Sequence, residues 1–170
     1  MSNKQIEDNL KTLRQRLDQL TAEAGREPSD VKLIAVSKTC SADAVNAAYE
    51  AGQRLFGENK VQELCQKTGK TPADCEWHFL GHLQRNKVSD ALEHASWIHS
   101  LDSLKLADRI NRVADENNVN KPFILIEVNV LGEESKYGVD FEGARQILEE
   151  TLKSYNLNIQ GLMTMAPYQA

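Results

Sequence analysis

The chain has 170 residues, 41% of them apolar and 26% charged, and a formal net charge of −5 at pH 7. That balance suits one globular domain with a real core and excludes a disordered polymer, while the acidic excess argues against sequence-blind nucleic-acid binding and adsorption to anionic lipid. No apolar run approaches the roughly 20 residues of a membrane helix.

Ile6, Leu10, Leu13, Leu17 and Leu20 recur at alternating spacings of four and three, which predicts an amphipathic helix over 4–24. After the loop GREPSD, VKLIAVSK (31–38) reads as a strand. SADAVNAAYEAG (41–52) reads as a helix with a Ser41 cap and a Gly52 stop. The alternation then repeats. Strands are predicted at RLFGEN (54–59), CEWHFLGHL (75–83), SWIHSLD (96–102), KPFILIEVNV (121–130) and LNIQGLMTM (157–165). Helices are predicted at KVQELCQKTG (60–69), RNKVSDALEHA (85–95), SLKLADRINRVADENN (103–118) and, capped by Asp140, DFEGARQILEETLKSYN (140–156).

Strict β/α alternation implies a parallel sheet covered by helices, either an open doubly wound sheet or part of a (β/α)8 barrel. Side chains alternate along a strand. FILIEVNV therefore sets Glu127 and Asn129 on the face of Leu125, opposite Ile126, Val128 and Val130. EWHFLGH sets His78, Leu80 and His82 opposite Trp77 and Phe79. One wholly apolar face and one face with polar groups favours the barrel, because strands covered on both faces are near-continuously apolar. A whole barrel takes about 200 residues or more. With only six strand–helix units in view, either two strands lie beyond the supplied end or six strands manage two raw edges. A single domain over 1–170, apparently cut at its C-terminus, is the expectation.

Barrel active sites sit at the C-terminal strand ends, where Lys38, Asn59, His82, Asp102, Asn129 and Met165 fall. Lys38 is a nucleophile if desolvation lowers its pKa; a strand-terminal lysine reaching solvent is the plainer alternative. His78 and His82 are four apart, but on a strand that is about 13 Å, too far for one metal ion. His78 then reads as an interior histidine, and His82 as either packing or a ligand contact. Asn59 reads as a helix cap or a ligand contact after Gly57. Met163 and Met165 read as packing, Trp77 and Trp97 as contacts with helices, and GEESKYG as a surface loop. No Ser-His-Asp triad or paired carboxylates stand out. Cys40, Cys65 and Cys75 lack C-x-x-C spacing and read as reduced thiols of a cytoplasmic protein. The polar start MSNKQIEDNL has no apolar signal core.

Taken in order, LIAVSKT, RLFGENKVQE, WHFLGHLQRNK, IHSLDS and GLMTM resemble the pyridoxal phosphate homeostasis protein family, also called the YggS/PROSC family, from about Leu13 onward. The resemblance implies a TIM (β/α)8 barrel of the alanine-racemase N-terminal type, here with only six of eight strand–helix units. It implies that Lys38 holds pyridoxal 5′-phosphate as a Schiff base, with Asn59, His82 and Met163 near the cofactor and no metal. The implied role is intracellular vitamin B6 homeostasis without catalytic turnover, and an amino-acid racemase-like enzyme is the alternative, with Tyr137 or Tyr168 as its acid. Client enzymes that use the cofactor are the implied partners, and a cytoplasmic monomer is expected. Two departures stand out. Cys40 and Ser41 replace a lysine and a proline found in many relatives. The family's phosphate-gripping Ser, Gly and Thr, and an Arg facing the pyridine nitrogen, belong to its last two strands.

Overall fold

Six strands form one all-parallel sheet in the order β1-β2-β3-β4-β5-β6, the order of the chain itself. The computed structural model describes residues 2–119, 121–133, 136–155 and 157–166, the side chain of Ser154 excepted. The strands are β1 (Ala35–Val36), β2 (Leu55–Glu58), β3 (Glu76–Phe79), β4 (Trp97–Leu101), β5 (Phe123–Glu127) and β6 (Asn158–Met163). The helices are α1 (Asn3–Glu23), α2 (Ala42–Glu50), α3 (Val61–Thr68), α4 (Val88–His94), α5 (Leu104–Asn117) and α6 (Phe141–Ser154).

The order decides between the two architectures. A doubly wound sheet reverses direction at a switch point and places helices on both faces. Here every crossover steps to the next strand in one direction, so right-handed connections lay all the crossover helices on one side. Successive helices touch in sequence, α1 with α2 and then α3 through α6 each with the next. This is a barrel wall. It is not closed, since β1 and β6 are the two ends of the sheet.

Local chemistry sets the element ends. Ser2, Ser41, Ser103 and Asp140 each cap a helix by accepting from a backbone N–H of the first turn. Asn118 closes α5 in the left-handed conformation. The helix-side face of the sheet is the core, with Phe56, Phe79, Ile98, Ile124 and Ile126 all at 1% exposure or less. Leu64, Val88, Ala91, Leu106, Ala107 and Ile110 from α3, α4 and α5 meet them.

The strands are shorter than expected, β1 most of all: it covers two residues rather than eight, pairing with β2 only at Ala35 and Val36. Trp97 does not face the helices. It lies in register with His78, stacks on that imidazole with centroids 5.4 Å apart, and meets Phe123 at 4.7 Å. Its indole N–H donates to Glu76 at 2.7 Å. Trp77, by contrast, is buried on the helix side against Phe56, as expected.

A Cβ built on Gly81 would stand 2.1 Å from the Asn59 carbonyl oxygen. The backbones after β2 and β3 thus pass so closely that only glycine fits. Gly81→Ala is expected to force these segments apart and destabilise the chain by about 1–3 kcal/mol, measured by thermal or urea unfolding.

Candidate functional site

The C-terminal strand ends form a rim on which Lys38, Asn59, His82, Asp102, Asn129 and Met163 lie at or just beyond β1 to β6. Lys38 leads a turn after β1. The Ser37 N–H still donates to Gly57 at 2.9 Å, and the Cys40 N–H folds back onto the Ser37 carbonyl at 2.9 Å. The expected desolvation of Lys38 is not found. Its side chain is exposed, because β1 is an edge strand with nothing paired on its outer side. The amine makes no hydrogen bond or ion pair among the described residues.

The turn itself is strongly anchored. Ser37 Oγ donates to Glu58 Oε1 at 2.7 Å, and Lys67 Nζ donates to the Ser37 carbonyl at 2.8 Å and to Glu58 through a short charged contact. Glu63 accepts from the Thr39 N–H at 3.1 Å, and that bond, helped by the Lys67 and Lys60 charges and opposed by burial, leaves its carboxyl below the usual glutamate pKa. Thr39 holds φ +64°, a conformation that β-branched residues avoid.

His82 packs within the rim. Nδ1 lies 3.1 Å from Asp102, and the ring stacks flat on Tyr137 with centroids 4.0 Å apart. Glu127, buried at the end of β5, leaves Oε2 without a hydrogen-bond partner among the described residues. Burial first, and the Asp102 charge second, raise its pKa; His82 opposes them. Asn129 Nδ2 donates to the Glu133 carbonyl at 2.9 Å, organising its own loop. Asn59 is exposed, and Met163 is half-buried with its carbonyl accepting from Val128 at 2.8 Å. Tyr168 lies outside the described residues.

Below the rim, His78 Nδ1 and His99 Nε2 stand 2.9 Å apart and share a hydrogen bond. Burial lowers both pKa values to about 4, with His99 further depressing His78, so both rings are neutral at pH 7. No group of three metal-ligating side chains occurs among the described residues. A recess of about 790 Å³ lies at the opposite end of the strands from the rim, lined in part by Pro72, Trp77, His94 and Phe123.

The reading of the sequence passed over the Glu58–Lys67–Glu63 cluster and the partner of His78. Glu63 and Lys67, spaced for one helix face, offered a signal for the first. His99 lies 21 residues from His78, and only the β3–β4 register unites them.

Two titrations check this electrostatic picture. The unfolded histidines protonate near pH 6.5 and the folded pair only near 4. Stability is therefore expected to fall as pH drops through that window, by about 2 kcal/mol per histidine at pH 5, in urea unfolding series. The Glu127 shift has the other sense. A carboxyl with a raised folded pKa destabilises the chain once pH exceeds its unfolded value, and not below it. Glu127→Gln is expected to raise the melting temperature by a few degrees at pH 7 and to lose that advantage below about pH 4.

The alanine racemase N-terminal domain family matches residues 6–170. The pyridoxal phosphate homeostasis protein of Aquifex aeolicus is 40% identical over 162 residues, which cover 95% of this chain and 71% of that protein. Its namesake in Escherichia coli K12 is 37% identical over 168 residues, covering 94% and 70%. Among solved structures, PipY of Synechococcus elongatus with PLP bound is 40% identical, with a TM-score of 0.76 over 91% of this chain and 72% of that one. Alanine racemase from Bartonella henselae, 16% identical with a TM-score of 0.68, shares the fold alone. The chain belongs to the pyridoxal phosphate homeostasis protein family, built on the alanine racemase N-terminal fold.

Proposed function

We propose that this chain binds pyridoxal 5′-phosphate through Lys38 and serves intracellular vitamin B6 homeostasis as a carrier without catalytic turnover. The observation that carries the reading is an accessible, unpaired amine at the C-terminal end of β1, on a turn tied down at both sides. A protein 40% identical with PLP bound supports it. The fit is chemical. The cofactor supplies an electrophilic aldehyde carbon, and a lysine amine is the side chain that captures one reversibly.

Asn59, His82 and Met163 are proposed to line the ring from the ends of β2, β3 and β6. His82 is already held by Asp102 and Tyr137, so its imidazole offers a fixed flat surface. An exposed Lys38 suits exchange with client enzymes better than permanent retention. The chain is proposed to act as a monomer in the cytoplasm; among the described residues, no helix is long and apolar enough to cross a membrane.

The test is addition of pyridoxal phosphate followed by borohydride reduction and peptide mass mapping. The expected outcome is a yellow complex whose label resides on Lys38 and disappears in Lys38→Ala. Label spread evenly over surface lysines would overturn the assignment. The carrier role is checked separately with L-alanine: sustained formation of the D-isomer, abolished by Lys38→Ala, would make the chain a racemase.

A further inference from the structure

We infer that Glu63 and Lys67 on α3, with Glu58 on β2, are positioning residues for Lys38. They fix the backbone on both sides of that lysine so that its amine is presented from the rim. The inference rests on the assignment of Lys38 proposed above.

The sequence position of Lys67 is the first clue. Val61, Leu64 and Lys67 are the buried residues of α3, spaced by three. A lysine thus occupies a core-facing position where a leucine would pack, and long charged side chains are almost never fully buried unless paired. Lys67 is paired twice, with Glu58, whose side chain is fully buried, and with Glu63 at 3.5 Å. A buried ion pair is weak evidence for stability, because desolvation offsets its attraction. Its geometry points to a local task.

That task is visible in the two peptide groups flanking the Lys38 Cα. The carbonyl of the first, from Ser37, accepts from Lys67 Nζ at 2.8 Å. The N–H of the second, from Thr39, donates to Glu63 at 3.1 Å. Both peptide planes are therefore tied to one helix, and the Ser37 hydroxyl is tied to Glu58 as well. With the planes on either side fixed, the direction of the Cα–Cβ bond of Lys38 is fixed too. The anchoring also holds Thr39 at positive φ, a conformation that costs on its own and persists only where the surroundings impose it.

The test compares Glu63→Ala and Lys67→Met with the parent chain and with Ile110→Ala, a core substitution remote from the rim that controls for lost stability. Each protein is treated briefly with pyridoxal phosphate and borohydride. Label at Lys38 is then divided by label at the exposed Lys11 and Lys105 in the same digest. Amide hydrogen exchange at Thr39 and Cys40 is read in parallel.

The expected result is a drop of about ten-fold or more in relative Lys38 labelling for Lys67→Met, and a smaller drop for Glu63→Ala. Both amides should exchange faster, while Ile110→Ala keeps the parent ratio. Glu63→Ala removes a partly exposed side chain from a helix surface, so it remains informative even if Lys67→Met does not fold. Unchanged labelling and unchanged exchange in folded Glu63→Ala overturn the inference. If the parent chain itself shows no preference for Lys38, the cofactor assignment fails. Exchange at Thr39 and Cys40 then still decides whether the cluster holds the turn.

Discussion

Alternation along parallel strands is the constraint on which this molecule depends. In a singly wound sheet, one side of every strand meets helices and the other meets the interior, so neighbouring residues carry different chemistries. Phe56, Ile98, Ile124 and Ile126 are driven to the helix side by apolar burial. Glu76, His78, Trp97, His99 and Glu127 are left on the other. The register between strands then brings interior groups together that lie twenty or more residues apart, as with His78 and His99.

Against that division, Glu58 and Lys67 are an exception with a direction. Glu58 shares the apolar face of β2 with Phe56, yet it is a carboxylate with no exposed surface. Removing one member of such a pair strands a charge, at a typical cost of about 3–5 kcal/mol. Replacement of both by apolar residues is often tolerated. Retention of a charged pair at a site suited to leucine is understandable when the pair has something to hold, and here it holds the backbone around Lys38.

Much of this is legible in the sequence itself. Strict alternation of helical and extended patterns predicted the six strands and six α-helices of the described residues, and the polar faces of β3 and β5 favoured a barrel over a doubly wound sheet. The chain-order sheet bears out that choice, without closure. Strand lengths were overestimated, because apolar runs such as VKLIAVSK continue past the point where a partner strand stops accepting hydrogen bonds. Trp97 was misplaced because a large aromatic suits either face by composition, and only its register beside His78 decides. The rim positions of Lys38 and His82 followed from strand ends. The exposure of Lys38 did not, since burial at an edge strand depends on what lies beside it rather than on the strand's own residues.

The placement of the two tryptophans on opposite sides of the sheet has an optical consequence. Trp77 is buried on the helix side, whereas Trp97 lies flat against the His78 imidazole. Protonated imidazole quenches indole emission by accepting an electron from the excited ring, and neutral imidazole does so weakly. The fluorescence of this chain is thereby divided between a source in the helix layer and one in the interior, and the second responds to the charge on the His78–His99 pair beside it.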